Sequence, residues 1–552
     1  MYKNSKDTQI KLFVLLLLIS SFSTLFACEL SIKVNKRYLN MPVSQQLTSK
    51  RMTLDLNGTQ IAGFNIRLTA DDPEYWVFYD LADYQGKTLN ISYDGDAKAL
   101  NKIYQADTFV GQESVYMENN RPQFHFSTQR GWINDPNGLV YYEGEYHLFY
   151  QFNPYDKDWG NLNWGHAVSK DLLYWEQLPI ALHADTLGEI YSGSAVIDYD
   201  NTSGFGTKGN PAMVAIYTVQ CRDGQIQCIA SSLDKGRTWK KYEKNPVINT
   251  RMNRGSWDNR DPKVFWYKPG KYWVMALHEK DGPSIYTSNN LKDWTYQSHT
   301  TGFWECPELF ELAVDGNKNK TKWVMQGASG TYMIGLFDGK KFTPETGKHY
   351  YATGYLYAPQ TYNNIPENDG RRIQTSWASI KHQGMPFAGM MLLPVELRLQ
   401  TTKDGIRMLS QPIKETEKLL TPLLQEKSLT MEQANEKLKA LQSLDRLCIK
   451  TTIKLSQPTN AGLELCGQKI LDYDMNFNKV NGTFYSPQDM TSLELSADIY
   501  IDKTSIEVFI DGGLYSYIIE RKEENNKNNF QFWGLQNIEI RNLDVYSVKS
   551  IW

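Results

Sequence analysis

Cysteine is scarce in this 552-residue chain. There are six, and the five beyond Cys28 (Cys221, Cys228, Cys306, Cys448, Cys466) never form the Cys-x-x-Cys pairs of structural zinc sites, so no metal is expected. An excess of positive charge is also missing: 59 Lys and Arg against 62 Asp and Glu leave a net charge of −3, which argues against a nucleic-acid partner. Past residue 19, no stretch approaches the ~20 apolar residues of a membrane-spanning helix. What is abundant is aromatic. Fifteen Trp, 34 Tyr and 22 Phe suit strand-rich domains with platforms for ring-shaped ligands. With 41% hydrophobic and 22% charged residues, the chain can pack cores in about three to four domains.

The first segment reads as a targeting signal. Lys3, Lys6 and Lys11 precede the apolar run from Leu12 to Ile19, which is too short to cross a bilayer. Leu25-Phe26-Ala27-Cys28 then resembles a bacterial lipoprotein processing box, implying a signal peptide at 1–27 and acyl chains on Cys28 as the membrane anchor. The membrane expected is an outer membrane, with the periplasmic and the surface face both left open. Export permits disulfides, and Cys221 with Cys228 or Cys448 with Cys466 are the pairings to test.

Residues 28–120 alternate in short segments such as Tyr75-Trp76-Val77-Phe78-Tyr79 between turn signals, which predicts a small β-sandwich. An echo follows. Ser169-Lys170-Asp171 leading to Trp175, Ser232-Leu233-Asp234 leading to Trp239, and Ser288-Asn289-Asn290 leading to Trp294 repeat one strand–turn–Trp unit, and Leu336 to Phe342 is a weaker fourth copy. Spacings of 64, 55 and 48 residues fit the four-stranded blades of a propeller. Residues 121–411 would hold about five blades at that period. The segment 412–444 shifts to Lys, Glu, Leu and Gln and reads as a connector with some helix, and 445–552 alternates again as a C-terminal β-sandwich. The fold class expected is all-β throughout.

Three acidic clusters lie at expected strand ends. Trp132-Ile133-Asn134-Asp135-Pro136-Asn137-Gly138 sets a carboxylate in a tight turn. Asn259-Arg260-Asp261-Pro262 sets another beside an arginine, and Trp304-Glu305-Cys306-Pro307 supplies a third. Each alone is an ordinary turn or a solvated acid.

Together, and in this order with Gln151-Phe152-Asn153-Pro154, Trp159-Gly160, Tyr191-Ser192-Gly193-Ser194 and Ser505-Ile506-Glu507-Val508-Phe509, these boxes resemble glycoside hydrolase family 32, the invertase, inulinase and levanase group. The resemblance runs from about Arg121 to Trp552 and leaves the N-terminal unit unexplained. It implies a five-bladed propeller with a C-terminal sandwich, and a retaining β-fructosidase acting on fructan or sucrose without a cofactor. By the same resemblance Asp135 is the nucleophile, Glu305 the acid and later base, and Asp261 the group that holds fructosyl hydroxyls. Trp132, Asn134, Gln151, Trp159, Tyr191, Ser192, Arg260 and Trp377 would surround the sugar.

Double displacement requires carboxyls about 5 to 5.5 Å apart. It also leads one to expect neighbouring negative charge and burial to raise the pKa of Glu305, while donors keep Asp135 ionised. One position departs from the family pattern: Tyr355, in Gly354-Tyr355-Leu356-Tyr357-Ala358, stands where many members carry Asp. The alternatives are a fructosyltransferase of the same architecture, a non-catalytic fructan-binding surface protein, and a furanosidase for arabinose polymers. Linkage preference, endo or exo action and oligomeric state are not encoded in these motifs.

Overall fold

The computed structural model describes residues 27–251, 253–441, 445–457, 459–474, 476–484, 494–522, 529–534 and 538–552, so residues 1–26 of the expected signal segment lie outside it. The chain is all-β, with helices limited to short pieces such as Met431–Lys439. No helix among the described residues is long and apolar enough to cross a membrane.

Residues 28–106 form a four-stranded sheet (Cys28–Lys33, Thr88–Tyr93, Lys50–Leu56, Thr59–Ile66) and a three-stranded one (Tyr75–Asp80, Tyr38–Val43, Tyr104–Ala106). Their inner residues, among them Leu39, Met41, Leu54, Phe64, Val77 and Ile91, share one core, as the two-residue alternation of the strands requires.

From Gly131 the chain builds successive, mostly antiparallel groups of strands that contain Gly131–Tyr142, Glu189–Asp198, Asn259–Tyr267, Glu308–Val314 and Leu356–Thr361, the last two groups being joined in one ten-stranded sheet. The first sheet shares a core with the second through Phe149, Trp164, Ala195 and Tyr217. The second meets the third through Ile216, Val264 and Met275, and the third meets the fourth through Val274, Ile285 and Met325. The fourth packs on the last through Val324 and Leu397, and the last returns to the first through Ile373, Tyr362 and Leu148. The order of cores therefore closes on itself.

The sequence echo is a physical repeat. In all three strong copies the Trp indole donates to the carbonyl three residues earlier: Trp175 to Leu172 at 3.2 Å, Trp239 to Gly236 at 2.9 Å and Trp294 to Leu291 at 3.0 Å. A serine hydroxyl meets the side chain two residues on in each, at 3.2, 2.7 and 3.2 Å. Leu172, Lys235 and Leu291 all take positive φ to close the turn. These tryptophans are anchored in the turns that lead into each sheet's outer strand.

At the C-terminus a seven-stranded sheet and a five-stranded sheet enclose one core that also takes Ala434 and Leu438 from the helix. Within the stretch expected to be a connector, Leu420–Thr430 is an edge strand paired with Ile538–Val548, and only Met431–Lys439 is α-helical. Lys- and Glu-rich composition hid it, because an edge strand with one solvated face carries the same residues as a linker. The C-terminal unit is riveted to the segment that leads into the first of these sheets. His125, fully buried, contacts Asp502 at 2.8 Å and Glu507 at 2.5 Å, and the Trp552 indole donates to the Pro122 carbonyl at 2.6 Å. Neither Cys221 with Cys228 nor Cys448 with Cys466 forms a disulfide. Along their ladder Cys221 faces Gly224 and Cys228 faces Tyr217, on different rungs.

Candidate active site

The three carboxylates reach one cavity because the inner strands are irregular at the same end. A regular strand sends successive side chains to opposite faces, and a bulge re-aims one of them. Register shifts fall between Ile133 and Pro136, Ile190 and Gly193, Arg260 and Lys263, and Tyr357 and Gln360. Asp261, Glu305, Cys306 and Ala358 adopt φ of +62°, +50°, +41° and +49° there, a region that non-glycine residues enter only under constraint. Gly193 is required for a different reason: a Cβ at that position would lie 2.1 Å from the Ile216 carbonyl oxygen.

The resulting cavity holds about 460 Å³. Asp135, Asp261 and Glu305 line it, and so do all eight positions expected to surround the sugar: Trp132, Asn134, Gln151, Trp159, Tyr191, Ser192, Arg260 and Trp377. Trp377 and Trp132, each of which could have been structural support, meet edge-on at 5.5 Å as adjoining walls.

Asp135 accepts hydrogen bonds from the Ser192 hydroxyl at 2.7 Å and the Asn134 amide at 3.1 Å. Asp261 accepts from the Cys306 backbone N–H at 3.0 Å, and its own N–H donates to Thr218 Oγ1 at 3.1 Å. Glu305 is paired with Arg260 and accepts from the Tyr357 hydroxyl at 2.5 Å. Arg260 is steadied on its other side by Asp258 at 2.7 Å.

Charge is distributed differently from expectation. Burial pushes the Asp135 carboxyl up, a push that Ser192 opposes and the charge of Glu305 reinforces. Burial also raises Asp261, to about 7, against the pull of Arg260. For Glu305 burial acts in the same direction, but the Tyr357 hydrogen bond and the Arg260 guanidinium outweigh it and hold this carboxyl below its ordinary value. The expected rise at Glu305 is thus overturned, because the nearest charge to it is positive.

Side-chain oxygens of Asp135 and Asp261 and the Cys306 sulfur lie within 4.8 Å of one another, close enough in principle to ligate a cation. The thiol is pushed well above its usual range by burial and by the two carboxylates, so it keeps its proton and faces each at 3.6 Å as a donor. That protonated state suits a hydrogen-bonding group better than a metal ligand.

Two functional contacts escaped the sequence reading. Tyr357, in the strand Leu356–Thr361 that follows Tyr355, pairs with Trp377 and lines the cavity. Tyr355 instead donates to Glu520 of the C-terminal sheet at 3.3 Å. Asp258 adjoins the Asn259-Arg260-Asp261-Pro262 box and could have been found as the acid two residues before Arg260.

Residues 125–412 match the family described as Glycosyl hydrolases family 32 N-terminal domain. The chain is 39% identical over 506 residues to a levanase of Bacillus subtilis (strain 168), covering 82% of this chain and 74% of that protein. It is 32% identical over 522 residues to an extracellular exo-inulinase of Aspergillus ficuum, covering 79% and 96%. Among solved structures, the exo-inulinase from Aspergillus awamori superposes with a TM-score of 0.70 at 28% identity, over 79% of this chain and all of that one. The β-fructofuranosidase from Schwanniomyces occidentalis, complexed with fructosyl-erythritol, gives 0.68 at 26% identity over 79% and 98%. Sequence and architecture agree that the chain belongs to glycoside hydrolase family 32.

Proposed function

We propose that this protein is a retaining β-fructosidase that hydrolyses the β-fructofuranosidic bonds of fructans or sucrose. The observation that carries the reading is the convergence of Asp135, Asp261 and Glu305 in one cavity walled by aromatic rings and amides. The levanase and exo-inulinase names of the relatives point to the same substrates.

In the first step an Asp135 oxygen bonds to the anomeric carbon while the carbon–oxygen bond to the leaving group breaks and Glu305 delivers its proton to that oxygen. Water then gives its proton back to Glu305 and attacks the same carbon, the ester bond breaks, and Asp135 leaves as carboxylate. Asp261 and Arg260 would hold fructosyl hydroxyls. The Gln151 amide oxygen, buried in the wall without a protein partner, is placed to accept another.

The closing ring of cores is read as a five-bladed propeller over 121–411, with sandwiches at 28–120 and 445–552 and the cavity at the mouth of the ring. We further assign 1–27 as a lipoprotein signal and Cys28 as the acylated residue of an exported enzyme. Cys28 begins the first strand with its sulfur 3.5 Å from the Gly95 carbonyl, a contact that acylation would have to replace.

Sucrose, inulin and levan offered separately, with products followed in time, test the proposal. Free fructose alone means exo action, a ladder of oligosaccharides means endo action, and longer chains at high substrate concentration mean transfer. No product from any fructoside refutes it.

A further inference from the structure

Trp159 reaches the cavity on the loop that joins strands Glu145–Asn153 and Asn163–Ser169. Its ring is 58% exposed and meets Tyr191 edge-on at 6.1 Å. Nine residues are many for a hairpin connection, which commonly needs two to five. A connection of that length spends binding energy on its own ordering unless something else holds it.

The N-terminal unit grips this loop along its length. Tyr155 is buried inside that unit's core, stacked on Phe64 with centroids 3.7 Å apart and planes 17° apart. Asp156 accepts from the Gln45 amide at 2.7 Å and is ion-paired with Arg67, whose second nitrogen lies 3.1 Å from Asp158. The Lys157 ammonium sits over the Tyr75 ring at 4.7 Å. At the far end, the Asn161 side chain accepts from the Asn65 backbone N–H at 2.7 Å and donates to the Asn65 carbonyl at 2.8 Å. From the catalytic side, Asn153 completes the frame by donating to the Asp158 carbonyl at 2.9 Å and accepting from Asn161 at 3.1 Å. Gly160 and Asn161, at φ of +138° and +45°, make the turn that follows Trp159.

We infer that the N-terminal unit is a positioning element of the sugar site: Arg67, with Gln45 and Phe64, holds the loop from Tyr155 to Asn161 in the shape that presents Trp159 to substrate. Arg67 suits the task because a planar guanidinium can bridge two carboxylates at once, which an ammonium does less well. Small displacements of a substrate-positioning group cost large factors in rate or affinity. The kinetic part rests on the fructosidase reading; the gripping of the loop does not.

The test uses the full chain with Arg67→Ala, Trp159→Ala, the double variant and Arg67→Lys. Hydrogen–deuterium exchange over peptides covering 154–162 reads the grip directly. Arg67→Ala should lose protection there while peptides from the other inner strands stay unchanged, and unchanged exchange in the loop overturns the inference whatever the enzyme's activity. On the fructoside that the wild type cleaves, Arg67→Ala should raise KM roughly tenfold with kcat within about threefold, the pattern of lost uniform binding. Arg67→Lys should recover part of that loss. If Arg67 acts through Trp159, adding Arg67→Ala to Trp159→Ala should change kcat/KM less than about twofold, because residues in one coupled unit are non-additive. Effects that multiply, or a lower melting temperature with KM unmoved, would reduce Arg67 to a structural residue. Should Arg67→Ala fail to fold, Gln45→Ala loosens the same Asp156 contact and is read by the same two measurements.

Discussion

Replacing Tyr357 with Phe tests which carboxyl holds the proton in the free enzyme. The substitution keeps the ring against Trp377, with centroids 6.4 Å apart, and deletes only the hydroxyl that donates to Glu305 at 2.5 Å. A hydrogen bond to a charged group contributes about 1.5–3 kcal/mol, so its loss should raise the Glu305 carboxyl from its depressed value. The Glu305 side chain is 22% exposed and retains Arg260. Water and the guanidinium therefore take up part of the loss, which favours the lower end of that range.

The sign of the effect on rate follows from the order of titration. Asp135 is pushed up and Glu305 held down, so the free site protonates Asp135 in preference to Glu305. Catalysis needs the opposite arrangement, an ionised Asp135 and a protonated Glu305, which is then the minor form of the singly protonated pair. In that case the acid limb of kcat/KM reports the more acidic group, Glu305. Raising its pKa moves the acid limb to higher pH and enlarges the productive fraction. The assay is kcat/KM for the cleaved fructoside across pH in wild type and Tyr357→Phe. A shift confined to the basic limb would mean that Glu305 already holds the proton, and an unmoved profile would mean that the hydroxyl does not tune it; either result refutes the argument.

Two further outcomes follow. Asp135→Ala and Glu305→Ala should each remove most turnover, by about 10²-fold or more, with the circular-dichroism melting curve little changed; azide should restore part of the activity of Glu305→Ala on an activated fructoside by attacking the anomeric carbon of the fructosyl-enzyme itself, which needs no base, releasing Asp135 as carboxylate and giving the fructosyl azide. Burial disfavours the charged form of His125, but its contacts with Asp502 and Glu507 prevail and raise it from 6.5 to about 9. That shift of about 2.5 units corresponds to about 3 kcal/mol of stability that is fully present below pH 6.5 and lost as pH rises through 9. Urea midpoints from pH 6 to 10 should therefore fall in wild type, and His125→Ala should be less stable by about 3–5 kcal/mol at pH 6 with that part of the slope removed.

The sequence announced the carboxylates because each sits in a turn built from residues with restricted backbones: Pro136, Pro262 and Pro307 follow Asp135, Asp261 and Cys306. It announced the sheet repeat because a Ser, a carboxylate or amide two residues on, and a later Trp make the same hydrogen bonds each time. The partner of Glu305 was beyond its reach. Arg260 lies 45 positions earlier, and nothing in the spacing says that they touch. Tyr357 was hidden because strict alternation puts it on the same face as Tyr355, whereas Tyr355 stands just before the strand with its N–H on the Ile518 carbonyl of the C-terminal sheet. The grip on Trp159 was hidden by distance, because Arg67 and Asp156 are 89 positions apart in units that read as separate domains.

The strain at the site has a consistent logic. Asp261, Glu305, Cys306 and Ala358 hold left-handed backbone without glycine, at roughly 1–3 kcal/mol each. Glycine would relieve the strain at the first two positions, but only by removing the carboxylates of Asp261 and Glu305 themselves. Such conformations persist where the surroundings over-determine them, and here they do: the Asp261 N–H is bonded to Thr218, the Cys306 N–H to Asp261, and the Ala358 N–H to the Ala328 carbonyl. Each of these bonds ties one inner strand to another element. The cores that join neighbouring sheets thus do more than stabilise the ring: they fix the separations between strand ends, and through them the positions of three acids that would repel one another if free to move.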